Sequence, residues 1–211
     1  MKRFLALLLA ASVVLGCSLH KSYPLSPVFF GHKQASQVVA KSIVRLQFTN
    51  TDGGVFTCTA FSIEPRLYLT AAHCFGTDGL LTVAGLQAWA VKIDEKKDLA
   101  LLIAPITRPT LKFRDKPLQG RTIWHDGETV QAIGFGYGFT HPMVTNHKVE
   151  LIDYKVDPDV LVGVIYMGGF ISGMSGGPVY DKNGDVVGIV QRGTGLVGYG
   201  VSVGTIKEFL K

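Results

Sequence analysis

The chain has 211 residues, 47% of them hydrophobic and 18% charged, with 21 Lys and Arg against 16 Asp and Glu. A formal charge of +5 with no long basic run is too mild for a nucleic-acid-binding protein. A chain of this length can bury a full core as one domain or as two small lobes.

Taken in order, the chain opens with Lys2-Arg3 and then an apolar run from Phe4 to Gly16 broken only by Ser12. This is the charged region and short hydrophobic region of a secretory signal peptide. It is too short to span a bilayer comfortably as a helix. The run ends Val14-Leu15-Gly16-Cys17, which resembles the bacterial lipobox. The resemblance implies that residues 1–16 are removed and that Cys17 carries a lipid as the first mature residue. The alternative is an ordinary signal peptide cleaved near Gly16, leaving Cys17 free. Ser18 resembles the residue type that permits outer-membrane sorting in Gram-negative bacteria. The expected location is therefore a membrane lipoprotein facing the periplasm or the exterior, or otherwise a secreted protein. Loss of Lys2 and Arg3 leaves a net charge of +3 on residues 17–211. Residues 17–37 include Pro24 and Pro27, have no sustained periodicity, and read as a tether. With Cys17 set aside, Cys58 and Cys74 form an even pair in an exported chain, which predicts a disulfide.

From Val38 the pattern is short strands and turns. Ile43 to Phe48 alternates, with Val44, Leu46 and Phe48 apolar between polar neighbours. Asn50-Thr51-Asp52-Gly53-Gly54 is a turn. Strands are predicted over Val55 to Ile63, Arg66 to Thr70, Leu80 to Val83, Ala88 to Ile93 and Leu99 to Ile103. Pro105, Pro109 and Pro117 mark a crossing between two halves. Further strands are predicted over Thr129 to Gly134, His147 to Val156, Val160 to Tyr166, Gly177 to Tyr180, Val186 to Gln191 and Gly198 to Val203. Only Thr205 to Lys211 reads as helix. Many short strands with Gly-rich turns argue an all-β sandwich or barrel.

Three stretches carry chemistry. Thr70-Ala71-Ala72-His73-Cys74 follows an apolar strand and offers His73 as a general base, since imidazole titrates near neutral pH. Taken alone, His73 is more often a structural histidine. Asp98-Leu99-Ala100-Leu101-Leu102 sets one carboxylate at the mouth of an apolar strand, where it needs a partner. The plainer reading is a surface turn after Lys96-Lys97. Gly173-Met174-Ser175-Gly176-Gly177-Pro178 sets a serine among glycines that let the backbone turn sharply and aim two N–H groups at one point. Alone, it could equally be a Gly-rich turn.

Together these stretches resemble the trypsin/chymotrypsin-like serine proteases, in that family's order of His, Asp and Ser. The resemblance covers most of Val38 to Lys211. It implies two six-stranded antiparallel β-barrels with a short C-terminal helix, in lobes of about 38–106 and 118–203. It assigns His73 as base, Asp98 as orienting acid and Ser175 as nucleophile, with the N–H groups of Gly173 and Ser175 as oxyanion hole. Cys58 and Cys74 fall where the family braces its histidine loop with a disulfide. Gln191-Arg192-Gly193 would be the strand on which substrate backbone pairs. Gly169 would lie at the base of the specificity pocket, with Gly193 and Gly200 lining open walls. The implied partner is a polypeptide substrate, with no cofactor and no metal. His20, His32, His125, His141 and His147 lack zinc-ligand spacing.

The chain also departs from the family. Met174 stands where many members have an acid that receives a new N-terminus, so activation by N-terminal insertion is not expected. Glycine at position 169 argues against strict Lys/Arg specificity. No histidine replaces Val190, so nothing points to glutamate. Gln191 replaces a serine that bonds the triad acid, and Arg192 reads as an exposed, solvated cation. Gly134-Phe135-Gly136-Tyr137-Gly138 alternates glycines but precedes no helix, so it is not a dinucleotide site. Two functions compete: a tethered serine endopeptidase, and a catalytically silent binding lipoprotein on the same scaffold. The intact set of His73, Asp98 and Ser175 favours the enzyme. The sequence does not fix an oligomeric state.

Overall fold

The period-two alternation predicted for the first strand is present in β1 (Ile43–Asn50), where Val44, Leu46 and Phe48 are buried and Arg45, Gln47 and Thr49 are half-buried. The structure is a computed structural model that describes residues 33–211, apart from 77, 117, 124 and 158–159. The signal sequence, Cys17 and most of the tether lie outside the described residues. No helix among the described residues is long and apolar enough to cross a membrane.

β1 turns into β2 (Val55–Glu64) through Asn50, whose side chain accepts from the Gly54 N–H at 2.6 Å. The pair runs antiparallel, with Leu46 opposite Cys58. β3 (Leu67–Thr70), β4 (Gly79–Val83), β5 (Leu86–Gln87), β6 (Trp89–Asp94) and β7 (Leu99–Ile103) complete a seven-stranded sheet in the order β5-β4-β1-β2-β3-β7-β6. The sequence resemblance implies a closed six-stranded barrel here, and the ladder is not continuous enough for that. The outer strands β5 and β6 are divided only by Ala88, which is buried and donates its N–H to the Leu81 carbonyl at 2.9 Å. One run therefore pairs with β4 at one end and β7 at the other, bending at Ala88.

The second lobe closes fully. β8 (Thr129–Gly134), β9 (Met143–Asp157), β10 (Val160–Met167), β11 (Pro178–Tyr180), β12 (Val186–Gly193) and β13 (Val197–Ser202) form a barrel in the order β10-β13-β12-β11-β8-β9. β9 begins four residues before the predicted His147. Its polar start is satisfied across the pair, where the Gln131 amide donates to Asn146 Oδ1 at 2.8 Å. Polar residues paired in this way hide a strand from a hydrophobic pattern.

Among the described residues, two short helices flank the lobes. α1 (Lys33–Ser42) corrects two readings: helix is not confined to the C-terminus, and folded chain begins before Val38. Ala35 and Val39, one turn apart, are buried against Tyr180 and Val186, and Ser36 Oγ donates to Gln131 at 3.1 Å. Its four apolar residues include Val38, which is exposed, so the sequence pattern does not mark the buried face. α2 (Val203–Phe209) starts two residues earlier than predicted, because Ser202 caps it by accepting from the Thr205 N–H. Its Val203, Ile206 and Phe209 are buried.

Each lobe has its own core, Leu46, Tyr68 and Leu102 in the first and Val130, Val164 and Val187 in the second. A third cluster joins Phe61, Leu69 and Leu99 to Ile133, Ile189 and Val201, with Ile206 and Phe209 from α2. Each such aliphatic or aromatic side chain, fully buried, contributes about 1.5–3 kcal/mol. This shared cluster holds the ends of β3, β7 and β12 next to each other, and the chemistry-bearing residues sit at those ends.

Candidate active site

His73 is placed by the tight turn that follows β3. Residues Ala72–Cys74 form one 3-10 turn, and the small side chains of Ala71 and Ala72 let it pack inside the protein. A disulfide between Cys58 and Cys74 ties this turn to β2. Cys58, His73 and Cys74 offer metal-capable atoms within 4.8 Å of one another, but both sulfurs are committed to that bond.

Asp98 closes the turn between β6 and β7 and has a positive φ of 48°. Its carboxylate receives His73 twice. The ring Nδ1 lies 2.8 Å from Oδ2 and 3.0 Å from Oδ1, and the backbone N–H of His73 donates to Oδ1 at 2.9 Å. An ionised carboxylate only accepts, so Nδ1 carries the proton and Nε2 presents a lone pair. The Asp98 side chain is 13% exposed and that of His73 45%. The pair is thus an anchored acid and an accessible base. The rival Asp94 is occupied in its own turn, accepting the Lys97 N–H at 2.9 Å.

Ser175 lies where the two lobes meet. Its carbonyl accepts the Thr59 N–H at 2.8 Å, and Cys74 Sγ is 3.7 Å from the same oxygen. Its hydroxyl donates to the Gln191 carbonyl at 3.0 Å. A hydroxyl has one proton, so in this conformation the proton is not offered to His73. Gln191 itself sits at a bulge between Val190 and Arg192 in the β12–β13 ladder, which turns its carbonyl out of register.

The glycine before Ser175 does specific work. Residues 171–174 form a turn closed by Met174 N–H to the Ile171 carbonyl at 2.9 Å, with φ +93° at Gly173. Positive φ at the third position alone defines a type II turn, which requires glycine there. A Cβ at Gly173 would also lie 2.4 Å from the Phe135 carbonyl oxygen. The amides of Met174, Gly176 and Gly177 are taken up by the carbonyls of Ile171, Val190 and Met174. Among the described residues, the amides of Gly173 and Ser175 have no such backbone partner. Two free N–H groups flanking a serine are what a developing oxyanion needs. Met174 between them is fully buried in the second-lobe core, so apolar packing seats the turn.

Sequence reasoning missed one contact here. The Tyr137 N–H donates to the Ser172 carbonyl at 2.6 Å. A trans peptide is planar, so holding that C=O aims the Gly173 N–H the opposite way. Tyr137 pays for this with left-handed φ 54° and ψ 22°, between Gly136 and Gly138. The glycine alternation Gly134 to Gly138 was the available signal, because it marks a loop free to adopt positive φ.

The specificity residues are a correction. The walls expected to be open are closed. A Cβ on Gly193 would lie 2.6 Å from the Phe170 N, one on Gly198 2.8 Å from the Phe170 ring, and one on Gly169 1.7 Å from the Thr194 carbonyl oxygen. The Phe170 ring is buried between His147 and Tyr166, with centroids 4.6 and 5.4 Å away. Gly200 backs onto the Tyr166 ring inside the barrel wall. The glycines permit an open pocket and equally a close approach, and burial of Phe170 decides for the approach. Arg192 is exposed, with its guanidinium 5.4 Å from the centre of the Tyr199 ring. Behind this wall, burial pushes His147 down to about 4, although the Gly168 carbonyl at 3.0 Å opposes the shift.

Beside His73 an open depression of about 420 Å³ is lined by Phe48, Phe56 and Phe75 together with polar Asn50, Thr51 and Asp78. A larger depression of about 700 Å³ lies at Arg114, Glu128 and Asp181, and contains none of the three chemistry-bearing residues. Within it Arg114 is bonded to Glu128 at 2.6 and 3.0 Å.

Residues 58–189, which include the disulfide, His73, Asp98 and Ser175, match the family described as "Trypsin-like peptidase domain". The chain belongs to the trypsin-like peptidase family. A relative is the serine protease Rv3671c of Mycobacterium tuberculosis strain H37Rv, 31% identical over 144 residues. The match covers 63% of this chain and 35% of the relative, so it spans about a third of that protein's length. The crystal structure of the Rv3671c protease in its active form superposes with a TM-score of 0.72 at 22% identity, covering 84% of this chain and 82% of that one. The HtrA-type protease AlgW with tripeptide gives a TM-score of 0.72 at 18% identity, covering 85% and 62%. At such identities the two structures speak for the trypsin-like fold alone.

Proposed function

We propose that the protein is a serine endopeptidase that cleaves polypeptides through Ser175, His73 and Asp98 by way of an acyl-enzyme. The observation that carries the reading is the doubly held His73–Asp98 pair, with Ser175 and two unspent amides at the same lobe junction. Ser175 turns from the Gln191 carbonyl toward His73 and gives its proton to Nε2 as Oγ attacks the scissile carbonyl. The Gly173 and Ser175 N–H groups receive the negative charge that forms on oxygen. Asp98 keeps Nδ1 protonated and stabilises the imidazolium. His73 then returns the proton to the departing amine, and water repeats the sequence to free the acid. Gln191, once released by Ser175, offers its carbonyl to the substrate backbone along Gln191–Gly193. The same reading has the protein exported and anchored through a lipid on Cys17.

One observation favours the second reading, a silent binding lipoprotein. Ser175 is bonded to Gln191 and the wall at Gly169, Phe170 and Gly193 is closed. Hydrolysis of internally quenched peptides by the purified protein, beside Ser175→Ala, separates the two. The enzyme reading expects turnover that the variant loses. Peptide binding without turnover would establish the silent scaffold.

A further inference from the structure

α1 belongs to the first lobe by sequence and to the second by contact. It runs directly into β1, yet its buried Ala35 and Val39 lie in one cluster with Tyr180 of β11 and Val186 of β12. In the turn between those two strands, a Cβ at Gly184 would touch Val39 at 3.6 Å. Ser36 on the same helix bridges two strands of the barrel. The Tyr180 hydroxyl donates to Ser36 Oγ at 3.0 Å, and Ser36 Oγ donates to Gln131 Oε1 of β8 at 3.1 Å. Burial pushes Tyr180 up to about 12, so its phenol keeps the proton that it donates.

Tyr180 and Gln131 face each other across a thin joint of the closed barrel. β8 and β11 pair at two positions, Val179 with Ala132 and Tyr180 with Gln131, whereas β11 and β12 pair at three and β8 and β9 at six. Side-chain links across a pair add to a ladder, and they count most where the ladder is short. Both strands of this joint lead into the site. β8 runs on to Tyr137, whose N–H holds the Ser172 carbonyl, and β11 starts three residues after Ser175. Their backbones touch there: a Cβ at Gly134 would lie 2.8 Å from Met174 Cα, and one at Gly177 2.3 Å from the Ile133 carbonyl oxygen. Backbone packed this closely transmits a shift of the joint to the turn that aims the Gly173 and Ser175 amides.

We propose that α1 is a strap across the β8–β11 joint and that Ser36 is a positioning residue for the oxyanion turn. The proposal rests on the peptidase reading and makes reactivity depend on the segment before the first strand.

The test measures kcat and KM of the purified protein on one internally quenched peptide, at a temperature where every variant is folded, together with hydrogen exchange at the Tyr137 amide. Ser36→Ala should lower kcat ~10-fold with KM within about two-fold, the mark of a small misplacement of the reacting groups. Alanine is the better helix former, so that loss cannot come from α1 itself. Tyr180→Phe keeps the buried ring, leaves α1 untouched, and should lower kcat ~3-fold or more. The double variant should lose no more than Ser36→Ala alone, because both changes remove one shared bond. In Ser36→Ala the Tyr137 amide should exchange ~10-fold faster, because the turn opens more often. Val38→Ala, on the exposed face of α1, should stay within about two-fold of wild type in kcat and in exchange. A merely structural bond would lower the urea midpoint and leave kcat and Tyr137 exchange at their wild-type values. That result overturns the positioning role, as does a loss confined to KM or an additive loss in the double variant. A wild type without turnover overturns the peptidase reading instead, and the exchange measurement, which needs no turnover, still decides the strap.

Discussion

Asp98 is the residue on which the proposed base depends, because it holds both the ring and the backbone of His73. Asp98→Asn should fold normally and lose on the order of 10⁴ in kcat, since an amide favours the wrong imidazole tautomer. Asp94→Asn should stay within a few-fold of wild type, because Asp94 serves only its own turn with Lys97. Steady-state hydrolysis of one peptide by both variants decides between the two carboxylates. The reverse order of losses would mean that the acid is misassigned. Tyr137 acts through its backbone, as its side chain is 70% exposed. Tyr137→Ala and Tyr137→Gly should both keep activity, and the glycine should add about 1 kcal/mol by relieving the left-handed conformation. Tyr137→Pro lacks the N–H and cannot adopt φ 54°, so it should lose at least on the order of 10²–10³ in kcat, a loss that reports the whole turn. Hydrogen exchange offers a check without mutation: the Tyr137 amide should be protected, and exchange at the free-peptide rate would exclude the clamp.

At the scale of elements, the loops carrying His73, Asp98 and Ser175 were readable because each is a local run of residues whose chemistry needs that spacing. The strands were readable wherever inward and outward residues alternate, as in β1. What was not readable depends on partners distant in sequence. α1 buries only Ala35 and Val39 of its four apolar residues, in one cluster with Tyr180 and Val186 from far along the chain. The clamp by Tyr137 uses an N–H that almost every residue has. The glycines at 169, 193 and 200 tell that backbones can approach, and only Phe170 packing against His147 and Tyr166 tells that they do. That packing has a pH consequence. Burial lowers His147 from its ordinary 6.5 to about 4, with Nδ1 facing the Gly168 carbonyl and Nε2 accepting from Thr145 at 2.6 Å. A depressed folded value means that the unfolded chain takes up the proton first. The stability is therefore complete above pH 6.5 and is lost as pH falls through 4, to the extent of about 3 kcal/mol. Urea midpoints between pH 7 and 4 should fall more steeply in wild type than in His147→Gln. Parallel curves would place the titration elsewhere.

Across the whole molecule, two lobes share one apolar cluster, and the site sits where that cluster brings β3, β7 and β12 together. The Cys58–Cys74 disulfide, 16 residues apart in sequence, fixes the histidine loop to β2 and adds about 3 kcal/mol on the chain-entropy model. The account expects activity without a new N-terminus. Met174 is buried among apolar side chains, so no carboxylate stands ready for an ammonium group there. On the proposed reading, Ser175 leaves the Gln191 carbonyl during reaction, and a reactive serine should be reachable in the uncut protein. The most direct measurement is therefore labelling of the purified, untrimmed protein with a fluorophosphonate, with the modified residue located by mass spectrometry. The account predicts one label, on Ser175, that is lost in Ser175→Ala and strongly slowed in His73→Ala. Labelling only after cleavage of the chain, labelling at another residue, or a rate unchanged by His73→Ala would contradict it.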